Sequence, residues 1–143
     1  MGNASSSNNF LNFEDVQQLV NGRGGTLLIN TLTPTEQACL IPTTIGAIHE
    51  EEIINQCVQS KQTNRCIVIY GKNTNDDTIR KKYKQLTDMG FHHVFIYLGG
   101  MFEWIMLQDI YGKEEFPTTS NELDILKFKP TRRLQSNLLT NYA

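Results

Sequence analysis

Short apolar runs alternate with helical patterns along most of the chain. The apolar runs are bounded by turn residues and predict buried strands at residues 26–31, 45–48, 66–70 and 93–97. Between them, apolar residues recur three and four positions apart, which predicts helices at residues 13–20, 50–60, 76–89 and 101–110. Asn12 is the expected N-cap of the first helix, and Gly90 and Gly112 follow the last two helices.

This alternation predicts the fold class. Strands that are apolar almost throughout, and that are separated by helices, form parallel sheets covered on both faces. We therefore expect an α/β fold, a three-layer α/β/α domain with a mainly parallel central sheet. Ligands bind such sheets beyond the carboxyl ends of the strands. The loop after the strand at residues 66–70 is the first place to look for function, because it leads from a central strand into a helix.

The two ends of the chain lack this periodicity. Residues 1–12 are rich in Ser and Asn and carry no charge, which predicts a flexible tail. Residues 13–111 form the predicted domain. Residues 112–143 form a C-terminal extension that either wraps the domain or trails from it, with a short helix expected at residues 121–126.

Length and charge narrow the function classes. The chain has 143 residues, which suits one domain. Its formal charge is −2, from 13 basic and 15 acidic residues, and nucleic-acid binders normally carry a large basic excess. No apolar stretch approaches the 18 or so residues of a membrane span. We therefore expect a protein partner and no nucleic acid.

Cysteine and histidine offer little chemistry. The three cysteines, Cys39, Cys57 and Cys66, form no C-x-x-C pair, and their odd number favours a reducing, cytoplasmic setting. All three are expected to be small buried hydrophobes, and solvent exposure is the alternative for Cys39 alone. His92 and His93 are neighbours on a strand and point to opposite faces, so they cannot share a metal ion. No metal and no cofactor are expected.

The second half of the chain resembles a rhodanese-like domain. That family combines an apolar strand, a loop of pattern C-x-x-G-x-R, a helix, a Gly-Phe-x-x-Val strand and a Gly-Gly-x-x-x-Trp turn. The last two features match in order at Gly90, Phe91, Val94, Gly99, Gly100 and Trp104. Upstream, residues 26–45 resemble the family's first strand and its Ile-Pro-Gly-Ala-Ile turn, with Asn30 in place of Asp and Thr43-Thr44 in place of Gly-Ala. With Glu-Phe-Pro-Thr-Thr at residues 115–119, the pattern is also similar to rhodanese-like proteins of large DNA viruses.

The resemblance implies sulfur transfer, but the loop departs from the family pattern. In the family a loop cysteine becomes a persulfide, and backbone N–H groups and an arginine hold the anion. Here Gly71 stands at the nucleophile, Thr74 at the loop glycine and Asp76 at the arginine. The altered loop comprises Gly71, Lys72, Asn73, Thr74, Asn75 and Asp76. We expect no catalytic residue in it, and expect Asp76 and Asp77 in the first turn of the next helix, where they complement its dipole.

The amino terminus carries a candidate lipidation signal. MGNASS fits the pattern M-G-x-x-x-[ST], with Gly2 as the myristate acceptor in a eukaryote or a virus growing in one. A single myristoyl chain binds membranes with a constant of only about 10⁴ M⁻¹, so a second signal is usual. A basic cluster in the C-terminal extension is the candidate contact with an anionic surface, the alternative being an ordinary solvated tail. This cluster consists of Lys127, Lys129, Arg132 and Arg133.

Three hypotheses follow. The first is a catalytically inactive rhodanese-like adaptor or structural module that binds a protein partner. It would be peripheral to a membrane through myristate, in the cytoplasm of a cell or, for a viral protein, in the host cytoplasm or virion. The second is an active sulfurtransferase that uses Cys39. The third is a regulatory domain whose loop at residues 71–77 binds a cationic peptide through Asp76 and Asp77.

Overall fold

A five-stranded parallel sheet forms the centre of the protein. The computed structural model describes residues 9–22 and 24–134. The strands lie in the order β1-β5-β4-β2-β3, and each pairing is parallel. They are β1 (Phe10–Leu11), β2 (Leu27–Asn30), β3 (Thr44–Ile45), β4 (Cys66–Tyr70) and β5 (His93–Tyr97). The predicted α/β fold with a parallel sheet is confirmed, and β4 lies at its centre.

Four helices connect and cover the strands. They are α1 (Phe13–Asn21), α2 (Ala47–Gln59), α3 (Thr78–Asp88) and α4 (Gly100–Tyr111), and a short 3₁₀ turn covers Pro34–Glu36. Asn12 caps α1 as predicted, because its side chain accepts from the Asp15 N–H while the Asp15 carboxylate accepts from the Asn12 N–H. The strand predicted at residues 45–48 is wrong beyond Ile45. Ile48 is 87% exposed, so it lies on the outer side of α2 and has no place in the sheet.

The core is divided by the sheet into two clusters. Side chains alternate between the faces of a strand, so Ile67 and Ile69 of β4 pack with α2 and α3. Val68 and Tyr70 point the other way, toward Val16 of α1 and Trp104 of α4. Burial on both faces explains why β4 is apolar along its length.

The first strand lies within the segment predicted to be flexible. The Asn9 carbonyl accepts from the Ile96 N–H at 2.8 Å, and Phe10 and Leu11 continue the pairing with β5. The flexible-tail prediction is therefore wrong for residues 9–12. The reason is that β5 would otherwise present an unpaired edge, which even a two-residue strand covers. Residues 1–8, with the candidate acceptor Gly2, lie outside the described residues.

The C-terminal extension wraps the domain. We name residues 112–134 the C-terminal strap. Phe116 and Phe128 are 3% and 1% exposed within the core, and the indole N–H of Trp104 donates to the Pro117 carbonyl at 2.8 Å. The helix predicted at residues 121–126 is wrong. The Asp124 carboxylate instead accepts from the Leu126 N–H, which favours a turn, and Leu123 is 92% exposed and gives a helix no apolar face to bury.

Candidate active-site loop

The loop at residues 71–77 joins β4 to α3 and is filled by one of its own carboxylates. One oxygen of Asp76 accepts from the Lys72 N–H at 3.0 Å. The other accepts from the N–H of Thr78 at 3.0 Å and from its hydroxyl. The helix α3 begins at Thr78 with Asp77 at its N-cap position, so the prediction that Asp76 and Asp77 lie within its first turn is wrong. The Asp76 carboxylate still complements the helix dipole, from just outside the helix.

Gly71 has no room for a side chain. A Cβ built on it would lie 2.5 Å from Asp76 Oδ2, 2.6 Å from Thr31 Oγ1 and 2.9 Å from Ile79 Cγ1. Carbon atoms in proteins do not approach their neighbours so closely, so glycine at this position is a steric requirement of the loop as it stands.

The N-terminus of α4 holds the loop from the opposite side. The carbonyls of Gly71 and Lys72 accept from the N–H groups of Met101 and Phe102 at 2.9 and 2.8 Å. Gly100 makes this approach feasible, since its φ is +65° and a Cβ there would lie 2.5 Å from the Gly71 carbonyl oxygen. The Gly-Gly turn noted in the sequence therefore serves to seat α4 against the loop.

The strap crosses the middle of the loop. Asn73 is 7% exposed, and its side-chain amide donates to the Phe128 carbonyl at 2.9 Å while its oxygen accepts from the Asn75 N–H. Thr74 and Asn75 remain exposed. Sequence reasoning missed this contact, although an isolated phenylalanine within a basic stretch was a signal for it.

Lys72 ties the loop to the 3₁₀ turn through an ion pair. Its ammonium lies 3.4 Å from the Glu36 carboxylate. Partial burial acts to raise the pKa of Glu36, but hydrogen bonds from Thr33 and the charge of Lys72 outweigh it, so the pKa is lowered overall.

The turn before β3 carries a strained threonine. Thr43 adopts φ +70°, in the left-handed region that favours glycine, at the place where the family pattern has Gly-Ala. The Thr44 hydroxyl donates to the Ile41 carbonyl and is hydrogen-bonded to the Tyr70 hydroxyl at 2.8 Å. Burial raises the pKa of Tyr70, so this tyrosine stays neutral and fixes the turn to the end of β4.

Two cavities lie on either side of α3, and the smaller one is lined by residues of the loop. A crevice of about 690 Å³ lies between α2 and α3 beyond the end of β2, and it is crossed by an ion pair between Lys82 and Glu50. A smaller cavity of about 320 Å³ lies on the other side, where Asp77 of the loop faces the same space as Arg80 and Arg133. Both are at the carboxyl end of the sheet, where ligands of such folds bind.

The cysteines do not supply a replacement nucleophile at the loop. Cys39 is 4% exposed and its thiol donates to the Ser120 carbonyl of the strap, so its predicted burial is confirmed and the alternative of solvent exposure is wrong. The strap covers it, and the strap could not be placed from sequence. Cys57 is buried as predicted, whereas Cys66 is only half-buried, and that burial raises the pKa of its thiol. Within residues 9–22 and 24–134, no group of His, Cys, Asp and Glu side chains could hold a metal ion.

One of the four residues of the basic cluster takes part in an ion pair within the strap. Lys127 lies 3.3 Å from the Glu122 carboxylate, whereas Lys129, Arg132 and Arg133 are exposed. Phe128 within this stretch is buried, so the alternative prediction of an ordinary solvated tail is wrong at Phe128. In the part of the chain that the structure describes, no helix has the length and apolar character needed to cross a membrane.

Comparison with known proteins agrees with this architecture. The rhodanese-like domain family matches residues 13–107, well over half of the chain. The crystal structure of the Alr3790 protein from Anabaena sp. is 22% identical, with 76% of this chain and 89% of that chain covered and a TM-score of 0.53. The solution structure of the rhodanese-like domain from the same protein is 20% identical, covering 89% and 94%, with a TM-score of 0.54. No curated protein matches. The chain belongs to the rhodanese-like domain family.

Proposed function

We propose that this protein is a rhodanese-like binding module without sulfurtransferase activity. The observation that carries the proposal is that the loop has Gly71 at the position of the nucleophile and Asp76 at the position of the arginine. Sulfur transfer needs a thiolate at the start of the loop and positive groups around it. Here the first loop residue has no side chain, and the Asp76 carboxylate uses the N–H groups of Lys72 and Thr78. An anionic sulfur donor would find no nucleophile at Gly71, and the Asp76 carboxylate would repel it.

The first prediction concerns thiocyanate formation from thiosulfate and cyanide. We expect no turnover above the uncatalysed background for the wild type. Gly71→Cys should also give none, because its Cβ would overlap Asp76 and Thr31, and it should lower the melting temperature. Gly46→Cys is the matched control, since a Cβ there meets no atom within 4 Å.

A positive result would be informative about the alternative enzyme. Wild-type turnover that disappears in Cys39→Ala would contradict the proposal and establish a sulfurtransferase that uses Cys39. The burial of Cys39 and its hydrogen bond to the strap count against that alternative.

The binding function calls for a protein partner, and the sides of the loop are its candidate contact. The cationic-peptide hypothesis is weakened for Asp76, whose two oxygens are engaged within the loop, and depends mainly on exposed Asp77. The crevice between α2 and α3 offers a larger surface. Mild crosslinking followed by identification of the recovered protein is the direct search for the partner.

We propose further that Gly2 is myristoylated and that the protein is peripheral to a membrane. Support comes from the MGNASS motif at residues 1–6. The proposal requires a eukaryotic or viral source, and the similarity to viral rhodanese-like proteins stays a prediction.

The second prediction tests this modification by mass spectrometry. Protein made in eukaryotic cells should have lost Met1 and gained one myristoyl group on Gly2, and the Gly2→Ala variant should lack that group. Wild-type protein with a free Gly2 amine would remove the lipid anchor from the proposed function and leave the binding module intact.

A further inference from the structure

An apolar groove lies between α1 and the sheet and reaches Cys66 at the amino end of β4. Its volume is about 430 Å³, within the range of about 300–1,000 Å³ that is typical of ligand pockets. Its wall is formed mainly by apolar side chains of α1 and of the strands that α1 covers, namely Leu11, Leu19, Leu28, Val68 and Phe95. The half-buried thiol of Cys66 completes it.

Two glycines lie among the described residues at the mouth of the groove. The helix α1 ends at Asn21, and Gly22 and Gly24, which line the groove, carry no side chains. Asp15 and Gln18 supply a polar rim. An apolar interior with a polar rim fits an occupant with a long apolar body and a polar end.

The amino terminus of the chain is within reach of this groove. Leu11 of β1 lines it, and seven residues separate Gly2 from Phe10. An extended chain spans at most about 3.6 Å per residue, so Gly2 lies within about 30 Å of Phe10.

We infer that this groove binds the myristoyl chain carried by Gly2. The inference rests on the proposed acylation of Gly2. It adds the groove as a second binding site for the acyl chain, besides the membrane. The chain then partitions between the groove and a membrane, and occupancy of the groove holds the protein off the membrane. Only a ligand that prefers one of these two states can shift the balance between them.

Cys66 provides the test, because an occupied groove shields its thiol. Protein co-expressed with an N-myristoyltransferase is first checked by mass for full acylation, and is then treated with iodoacetamide beside the Gly2→Ala variant. Alkylation of Cys66 should be slower by roughly tenfold in the acylated protein, since the rate follows the open fraction of the groove. Cys39 and Cys57 are buried in both proteins and serve as internal controls. Phosphatidylcholine–phosphatidylserine vesicles should restore fast alkylation by withdrawing the acyl chain.

A pair of variants separates the groove from a general effect of acylation. Leu19→Glu places a charge in the groove and should restore fast alkylation in the acylated protein, with Cys57 remaining unreactive as evidence of folding. Val58→Glu, at a 37% exposed position on α2, should leave protection unchanged. Equal Cys66 rates in the acylated and Gly2→Ala proteins would overturn the inference while leaving the acylation established by mass. Protection that rises with protein concentration would indicate a second copy in the groove and would overturn it too.

Discussion

Replacing Phe128 with alanine is expected to lower the free energy of unfolding by about 3–5 kcal/mol, the usual loss when a buried phenylalanine is truncated. Phe128 is 1% exposed and belongs to the same core cluster as Trp104 and Phe116. Its carbonyl also accepts from the buried Asn73 amide, so a cavity there loosens the loop as well. Urea denaturation of the wild type and Phe128→Ala measures the loss.

The control for this prediction lies in the same turn. Leu126 is 49% exposed, so Leu126→Ala should change the free energy of unfolding by no more than about 0.5 kcal/mol. Equal losses in the two variants, or no loss in Phe128→Ala, would show that the strap does not contribute to the core.

The second large effect is expected at Gly100. Alanine there must adopt φ +65°, which costs about 1–3 kcal/mol, and its Cβ would lie 2.5 Å from the Gly71 carbonyl oxygen. Overpacking of this kind typically costs about 1–3 kcal/mol more. The clash is with backbone, so relief requires α4 to move away from the loop. Hydrogen exchange at the Met101 and Phe102 amides should therefore become faster, together with a lower free energy of unfolding.

Gly90 separates the two causes. Its φ is +104°, yet a Cβ there would meet only Thr63 Cγ2, at an ordinary contact distance of 3.8 Å. Gly90→Ala therefore carries a conformational cost without the clash and should lose clearly less free energy of unfolding than Gly100→Ala. Losses of the same size in both variants would refute the close approach of α4 to the loop.

The parts of the fold that sequence reasoning predicted well are those with a strong periodic signal. The ends of β4 and β5 were predicted correctly, because each strand is a largely buried apolar run that follows a polar residue, Arg65 or His92. In contrast, β1 has two residues, too few to show any periodicity. The strap has the same difficulty, since Phe116 and Phe128 are isolated apolar residues whose burial depends on distant partners.

The residue types that distinguish the candidate site were predicted from the sequence, but the contacts between them were not. The family pattern identified Gly71 and Asp76 as departures from an active loop. It could not show that Asp76 turns inward to accept from the Lys72 N–H, because that contact depends on how the loop folds. Nor could it show that Asn73 is covered by a segment 55 residues away.

The strap is the last part of the described domain to be synthesised. Its residues leave the ribosome after those of all five strands and four helices. The Gln17 side chain donates to the Glu115 carbonyl, 98 residues later, and Asn73 donates to the Phe128 carbonyl. The nascent domain therefore exposes the Trp104 side of its core until the strap emerges. The strap's contacts with Asn73 and with the core therefore form late in synthesis, and an interrupted chain is left with an exposed apolar surface for chaperones to bind.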